Sequence, residues 1–73
     1  MNILEAMEKS RLTGKSITNN HARLNMKYSP QFHCMVWTLE NGNFVPDYSE
    51  VTGVKRVILS PKLNEYEWEL IEE

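Results

Sequence analysis

The 73-residue sequence predicts an α+β fold, an N-terminal helix packed on a small antiparallel β-sheet with a central hairpin. Three observations carry that prediction: a capped helical pattern that stops at a glycine, several segments alternating apolar and polar residues, and an Asn-Gly pair between two of them. The chain reads as a single compact domain, 1–73, without repeat, linker or low-complexity stretch.

The helix comes first. Asn2 followed by Glu5 resembles a capping box, in which the two side chains satisfy backbone donors that the first turn leaves unpaired. Ile3, Leu4, Met7 and Leu12 form a roughly helical apolar stripe, and Glu5 and Lys9 have the spacing of an i,i+4 ion pair. Gly14 supplies the left-handed position that ends helices. A short strand over residues 15–19 with Ile17 inward comes next, then a turn at Asn19-Asn20-His21-Ala22, because asparagine tolerates positive φ.

Residues 23–28 alternate cleanly, with Leu24, Met26 and Tyr28 on one face and Arg23, Asn25 and Lys27 on the other, until Ser29-Pro30 breaks the pattern. Residues 31–40 are the most strand-like, with Phe32, Cys34 and Val36 on one face and Met35, Trp37 and Leu39 on the other. A strand apolar on both faces must be covered on both, and a domain with one helix offers few covers. The sequence therefore predicts a homo-oligomer with Met35, Trp37 or Leu39 in its interface.

Asn41-Gly42 fits a type I′ turn, whose two central residues both need positive φ, and Pro46 confines the return strand to an edge or a bend. Residues 51–59 contain another alternating segment. Ser60-Pro61 pairs an N-cap with a proline at the first helical position and starts a short helical turn, and residues 67–71 close the chain as a strand.

A chain this short buries only about 60% of its unfolded surface, so extra burial through a partner subunit would add to a thin core. Cys34 is the only cysteine, which excludes an intrachain disulfide. With only His21 and His33 to add, no recognised zinc spacing arises, and no metal or other cofactor is expected. The N-terminus carries acids where a signal peptide is basic, and no apolar run approaches the roughly 18 residues of a membrane span. These features predict a cytoplasmic protein, in the host cytoplasm if phage-encoded, with no membrane partner.

A net charge of −2 argues against general nucleic-acid binding. Its distribution is uneven. No acid lies between Lys9 and Leu39, where Lys9, Arg11, Lys15, Arg23 and Lys27 all fall, whereas the last nine residues hold Glu65, Glu67, Glu69, Glu72 and Glu73. Either the acidic end strand neutralises the basic part in the fold, or the basic part is a local positive pocket for a small anion.

Gly14-Lys15-Ser16 has the last three letters of a phosphate-binding P-loop, but Lys9 stands where the first glycine belongs. The motif also needs a strand before it and a helix after it, the reverse of the order here. His33 and Cys34, adjacent on a strand, point to opposite faces and cannot act as base and nucleophile. Glu40, Asp47 and Glu50 flank a hairpin, where acids keep an edge soluble. The sequence thus predicts a protein that is not an enzyme.

The expected ligand of the basic part is a small anion. Lys15, Arg23 and Lys27 would hold phosphate, since arginine offers a planar fork to phosphate oxygens and lysine a point charge. Asn19, Asn20 and His21 would form the rim, and Trp37 is a ring able to stack on a base. Trp37 and Trp68 fit equally well as core or interface residues of a small sheet.

The two ends of the chain resemble a known family. "ILEAMEKSRLTGKSIT" is similar to the opening helix, Gly-Lys and strand of short phage proteins of the Thoeris anti-defence type, and "LSPKLNEYEWELIEE" to their closing turn and acid-Trp-acid strand. The matching positions are Glu5, Ala6, Gly14, Lys15 and Ile17, then Pro61, Leu63, Trp68 and Glu69. The resemblance implies a phage protein that binds a host immune signalling nucleotide, of the cyclic or cyclic ADP-ribose type, and sequesters it without cleavage in pockets formed as subunits assemble. Where the family carries a basic residue and a tryptophan after the Gly-Lys strand, this chain has Asn19-Asn20-His21-Ala22. The alternative class is a small protein that inhibits a host or defence protein by direct docking.

Overall fold

The computed structural model describes residues 1–21 and 24–71. Helix α1, Ile3–Thr13, begins at Asn2, whose Oδ1 accepts from the Glu5 N–H at 2.8 Å while its Nδ2 donates to Glu5 Oε1 at 3.1 Å. It ends at Gly14, φ 74°, whose N–H donates to the Ser10 carbonyl. The pairing expected between Glu5 and Lys9 gives way to Glu8 with Arg11, because Glu5 is engaged by Asn2.

The expected apolar stripe of α1 is also corrected. Ile3, Ala6 and Ser10 are the buried face, with Met7 packed at its margin, whereas Leu4 and Leu12 are exposed. Ser10 is buried because its hydroxyl joins helix to sheet: Oγ donates to the Lys15 carbonyl at 2.7 Å and accepts from the Tyr28 N–H at 3.1 Å. One hydroxyl thereby ties the end of the helix to the β2 backbone at the seam.

The sheet contains β1, Ile17–Asn19, β2, Asn25–Ser29, β3, Cys34–Thr38, and β4, Trp68–Leu70, in the order β3-β2-β1-β4 with every neighbouring pair antiparallel. Ile17 lies opposite both Met26 and Leu70, and Met26 opposite Trp37. This puts Ile17, Met26, Met35 and Trp68 on the face beneath α1, where they pack with Ile3, Ala6 and Leu63. Leu63 comes from α2, Pro61–Glu65, and its carbonyl accepts from Trp68 Nε1 at 2.9 Å. Trp68 is therefore a core residue whose one polar atom is satisfied.

Both ends of the sheet are closed within the chain. The outer edge of β4 pairs with Met1, whose amino group donates to the Trp68 carbonyl at 2.8 Å and whose carbonyl accepts from the Trp68 N–H at 3.0 Å. At the other end β3 meets an arm, residues 44–57, held by three isolated bridges: Thr38 with Phe44, Val36 with Arg56, and Pro46 with Val54.

Three sequence expectations need correction here. The strand expected over residues 31–40 starts only at Cys34, since Gln31, Phe32 and His33 form a turn with His33 in the left-handed region at φ 55°. The Asn41-Gly42 turn is not type I′. The Gly42 N–H donates to the Leu39 carbonyl, only Gly42 of the pair has positive φ, and the Leu39 N–H donates to the Asn43 carbonyl, as in a type I turn followed by a glycine bulge. Residues 51–59 form a turn and two bridges instead of a continuous strand, because the outer edge of β3 is shared between residues 44–45 and 55–57.

The face of β3 carrying Met35 and Trp37 is the one that α1 covers, so Met35 is core and Trp37 packs against that core. Val36, on the opposite face, is also fully buried within the chain. Met35 and Val36 thus find their covers within the chain, whereas Leu39, just beyond β3, is exposed. Among the described residues, no helix is long and apolar enough to cross a membrane.

Candidate functional site

The residues expected to bind a ligand separate in space. Lys15 is exposed in the connection between α1 and β1. Asn19 ends β1, about 13 Å from Lys15 for four extended residues, and Asn20 and His21 follow it. Lys27 and Trp37 occupy opposite faces of the β2–β3 pair: Lys27 is opposite Val36, and Trp37 is opposite Met26 on the core side. Arg23 lies outside the described residues.

Asn19, Asn20 and His21 do come together. Asn19 Oδ1 accepts from the His21 N–H at 2.9 Å, Asn19 Nδ2 donates to the Leu24 carbonyl at 3.3 Å, and Asn20 Oδ1 accepts from the Glu67 N–H at 3.4 Å. The His21 ring is tilted against Tyr66 with centroids 4.8 Å apart, and Tyr66 in turn lies 6.4 Å from Trp68. Beside them is a shallow cleft of about 350 Å³ lined by Met1, Asn19, Asn20, Glu67, Trp68 and Glu69. Its side-chain charges are carboxylates, and its one cationic group, the Met1 amino group, is 3.4 Å from Glu67 Oε2. The acidic end strand thus faces the asparagine rim, and the lysines that would complement phosphate project elsewhere.

No family model, curated protein or solved structure matches this chain.

Among the described residues, no three His, Cys, Asp or Glu side chains gather where a metal ion could be held. Cys34 is a free thiol, half-buried at the start of β3.

The arm, where the sequence predicts a return strand at an edge or bent at Pro46 and another strand within residues 51–59, is the other distinctive surface. Its base is a three-way backbone junction: the Val45 N–H donates to the Trp37 carbonyl at 3.1 Å, the Trp37 N–H to the Lys55 carbonyl at 2.9 Å, and the Lys55 N–H to the Val45 carbonyl at 2.9 Å. Each of the three segments therefore holds the other two. Further out, the Asp47 N–H donates to the Gly53 carbonyl at 3.0 Å, the Glu50 N–H to the Asp47 carbonyl at 3.2 Å, and the Gly53 N–H to the Glu50 carbonyl at 3.0 Å.

Asp47 closes the tip. Its Oδ1 accepts from the Ser49 hydroxyl at 2.6 Å and the Ser49 N–H at 3.0 Å. The Ser49 hydroxyl, then the Ser49 N–H, hold the Asp47 carboxyl below its ordinary range. Arg56 Nε donates to Glu50 Oε2 at 3.2 Å, tying the tip to the arm's base. What this frame presents is apolar: Tyr48 is 96% exposed and Val51 is fully exposed beside it in the turn. A signal for such a tip was present in the sequence, since Asp-Tyr-Ser sets an acceptor two residues before the amide it caps.

Proposed function

We propose that this protein is a non-catalytic binding protein that docks on another protein, inserting the Tyr48–Val51 tip of its arm into a pocket of that partner. One observation carries the proposal: two large apolar side chains stand in solvent on a turn pinned by backbone hydrogen bonds at Asp47, Glu50 and Gly53 and by the Asp47 cap on Ser49. Exposed apolar side chains are ordinary on flexible loops, but a pinned loop loses little conformational entropy when it binds. Tyrosine offers a large rigid contact with only two side-chain torsions, and it is among the residue types enriched at binding hot spots. This reading is the direct-inhibitor class; for a phage-encoded chain the target would be a host or defence protein.

The test places a photo-crosslinking phenylalanine analogue at position 48 of the intact chain, or at Lys62 as an exposed control, in the cells that express it. A single protein adduct from position 48, absent from position 62 and lost on adding Val51→Asp, is the expected result. Equal labelling from both positions, or none from position 48, overturns the proposal.

The second reading keeps the sequestered signalling nucleotide implied by the resemblance to the Thoeris anti-defence proteins. It is favoured by the rim beside Tyr66, where two asparagine amides and the His21 ring could receive a ribose and a base edge. It is disfavoured by Glu67 and Glu69 in the same cleft, which repel phosphate. Native mass spectrometry against cyclic and ADP-ribose-type nucleotides separates the two readings. A stoichiometric adduct that His21→Ala abolishes would establish the nucleotide and displace the docking proposal as the primary function.

A further inference from the structure

The arm leaves one part of the surface unexplained. Along the outer side of α1, Leu4 and Leu12 are 63% and 68% exposed, two turns apart with Glu8 between them. An i, i+4, i+8 spacing places all three on one stripe. The stripe borders an apolar groove of about 600 Å³, lined by Leu4, Met7, Tyr28, Met35, Val57 and Leu59 and crossed at one end by the Glu8–Arg11 pair. Leu59 is 53% exposed on the far wall, and the neighbouring Ile58 projects into solvent. A second hollow of about 360 Å³ continues past Leu4 and Leu59 to Pro61 and Asn64.

We infer that this stripe and groove are the interface of a two-fold homodimer in which α1 of one copy lies antiparallel to α1 of the other. Charge selects the occupant. The N-terminal half of α1 carries the acids Glu5 and Glu8, and the C-terminal half the bases Lys9 and Arg11. An antiparallel copy sets each acidic half against a basic half, whereas a parallel one sets like against like. The same reversal brings Leu4 of one copy towards Leu12 of the other, so the two exposed leucines cover each other. A two-fold interface must be self-complementary in this sense, and α1 is so in both charge and shape.

The size is adequate. A stable interface takes about 800 Å² from each partner, roughly one sixth of the 5101 Å² that this chain exposes. The outer side of α1, the groove and residues 58–59 form one continuous surface from which to draw it. Exposed leucines at both ends of a short helix are a cost for an isolated monomer and a contribution to a dimer. The tip of the arm lines no part of this groove, so the inference stands apart from the proposed function.

Sedimentation equilibrium and native mass spectrometry of the intact chain test it. The expected result is a monomer–dimer equilibrium at micromolar concentration, weakened about tenfold or more by Leu4→Asp or Leu12→Asp, as for a charge placed at an apolar hot spot. Both residues are exposed in the single chain, so circular dichroism should show each variant folded. Glu8→Lys and Arg11→Glu should each weaken self-association, and mixing the two variants should restore a dimer containing one of each. A wild-type monomer throughout that range overturns the inference. So does a dimer indifferent to both leucine changes, because it must then use another surface.

Discussion

The sheet beneath α1 and the arm beside β3 are built from the same chain by different means. Under α1, side chains make the structure: Ile3, Ile17, Met26 and Trp68 are removed from water almost completely, and backbone pairing runs along whole strands. In the arm the backbone makes the structure through single bridges and a three-way junction, and the side chains at its tip remain in solvent. Burial contributes about 25 cal/mol per Å² and is cooperative over the core, whereas a net hydrogen bond contributes only about 1 kcal/mol. The core is thus the stable unit, and the arm is a local structure that can open without unfolding it.

The largest test of that division is Trp68→Ala. Removing the biggest core side chain should cost about 3–5 kcal/mol, most of the stability expected of a domain this small, and it also leaves the Leu63 carbonyl without its indole donor. Chemical denaturation should show the variant largely unfolded or with a much lower midpoint. A loss below about 1 kcal/mol would mean that the core is not organised around this ring.

Ser10→Ala probes the seam where core and hydrogen bonding meet. It removes the hydroxyl that accepts from the Tyr28 N–H at the buried seam and donates across it, so the expected loss is about 2 kcal/mol. Had the stripe of Ile3, Leu4, Met7 and Leu12 been the buried one, Ser10 would lie at the edge of solvent and the change would be near neutral. Equilibrium unfolding decides between these outcomes.

The same contrast explains what could be read in advance. Elements specified locally were legible: the Asn2–Glu5 cap, the Gly14 stop, the alternation of Met26 and Tyr28, and the Ser60-Pro61 helix start each depend on residues a few positions apart. The burial of Ser10 depends on the Tyr28 amide, 18 residues away, which no helical periodicity encodes. Apolar content alone placed Leu4 and Leu12 inside. The arm was misread because Val54, Arg56 and their neighbours alternate as a strand does, while the outer edge of β3 has room for only part of them. The site expectation failed to converge for a related reason: a run of basic residues in sequence is divided by the β1 strand and the pleat, which send Lys15, Lys27 and the asparagine rim to different places.

Gly53→Ala sharpens the comparison from the side of the arm. Gly53 sits at φ 77°, and an added Cβ would meet nothing within 4 Å, so the whole penalty is backbone strain of about 1–2 kcal/mol. Because the arm can open alone, that strain should appear as faster hydrogen exchange at the Asp47 and Lys55 amides, with core amides such as that of Trp68 unchanged. A matching rise in exchange at Trp68 would join arm and core into one cooperative unit.

Acid should produce the smallest effect and the most local one. The Asp47 carboxyl is held below its ordinary value of 3.8 chiefly by the Ser49 hydroxyl and amide, so its folded pKa lies under its unfolded one. A group with a depressed pKa stabilises the folded form fully above its unfolded value and loses that contribution as pH falls through the folded one. The tip should therefore be intact at neutral pH and begin to loosen as the pH drops below 3.8, when Asp47 takes up a proton and becomes a poorer acceptor. The Ser49 amide resonance should report the transition, moving toward its unstructured position while Trp68 Nε1 holds still, since its partner is a carbonyl that does not titrate. Asp47→Asn is the control: it preserves a side-chain oxygen at the same place but carries no titrating proton, so the Ser49 shift should become flat with pH. If the wild-type amide is equally flat, the carboxylate does not hold the tip, and the rigidity ascribed to the arm must come from its backbone junction alone.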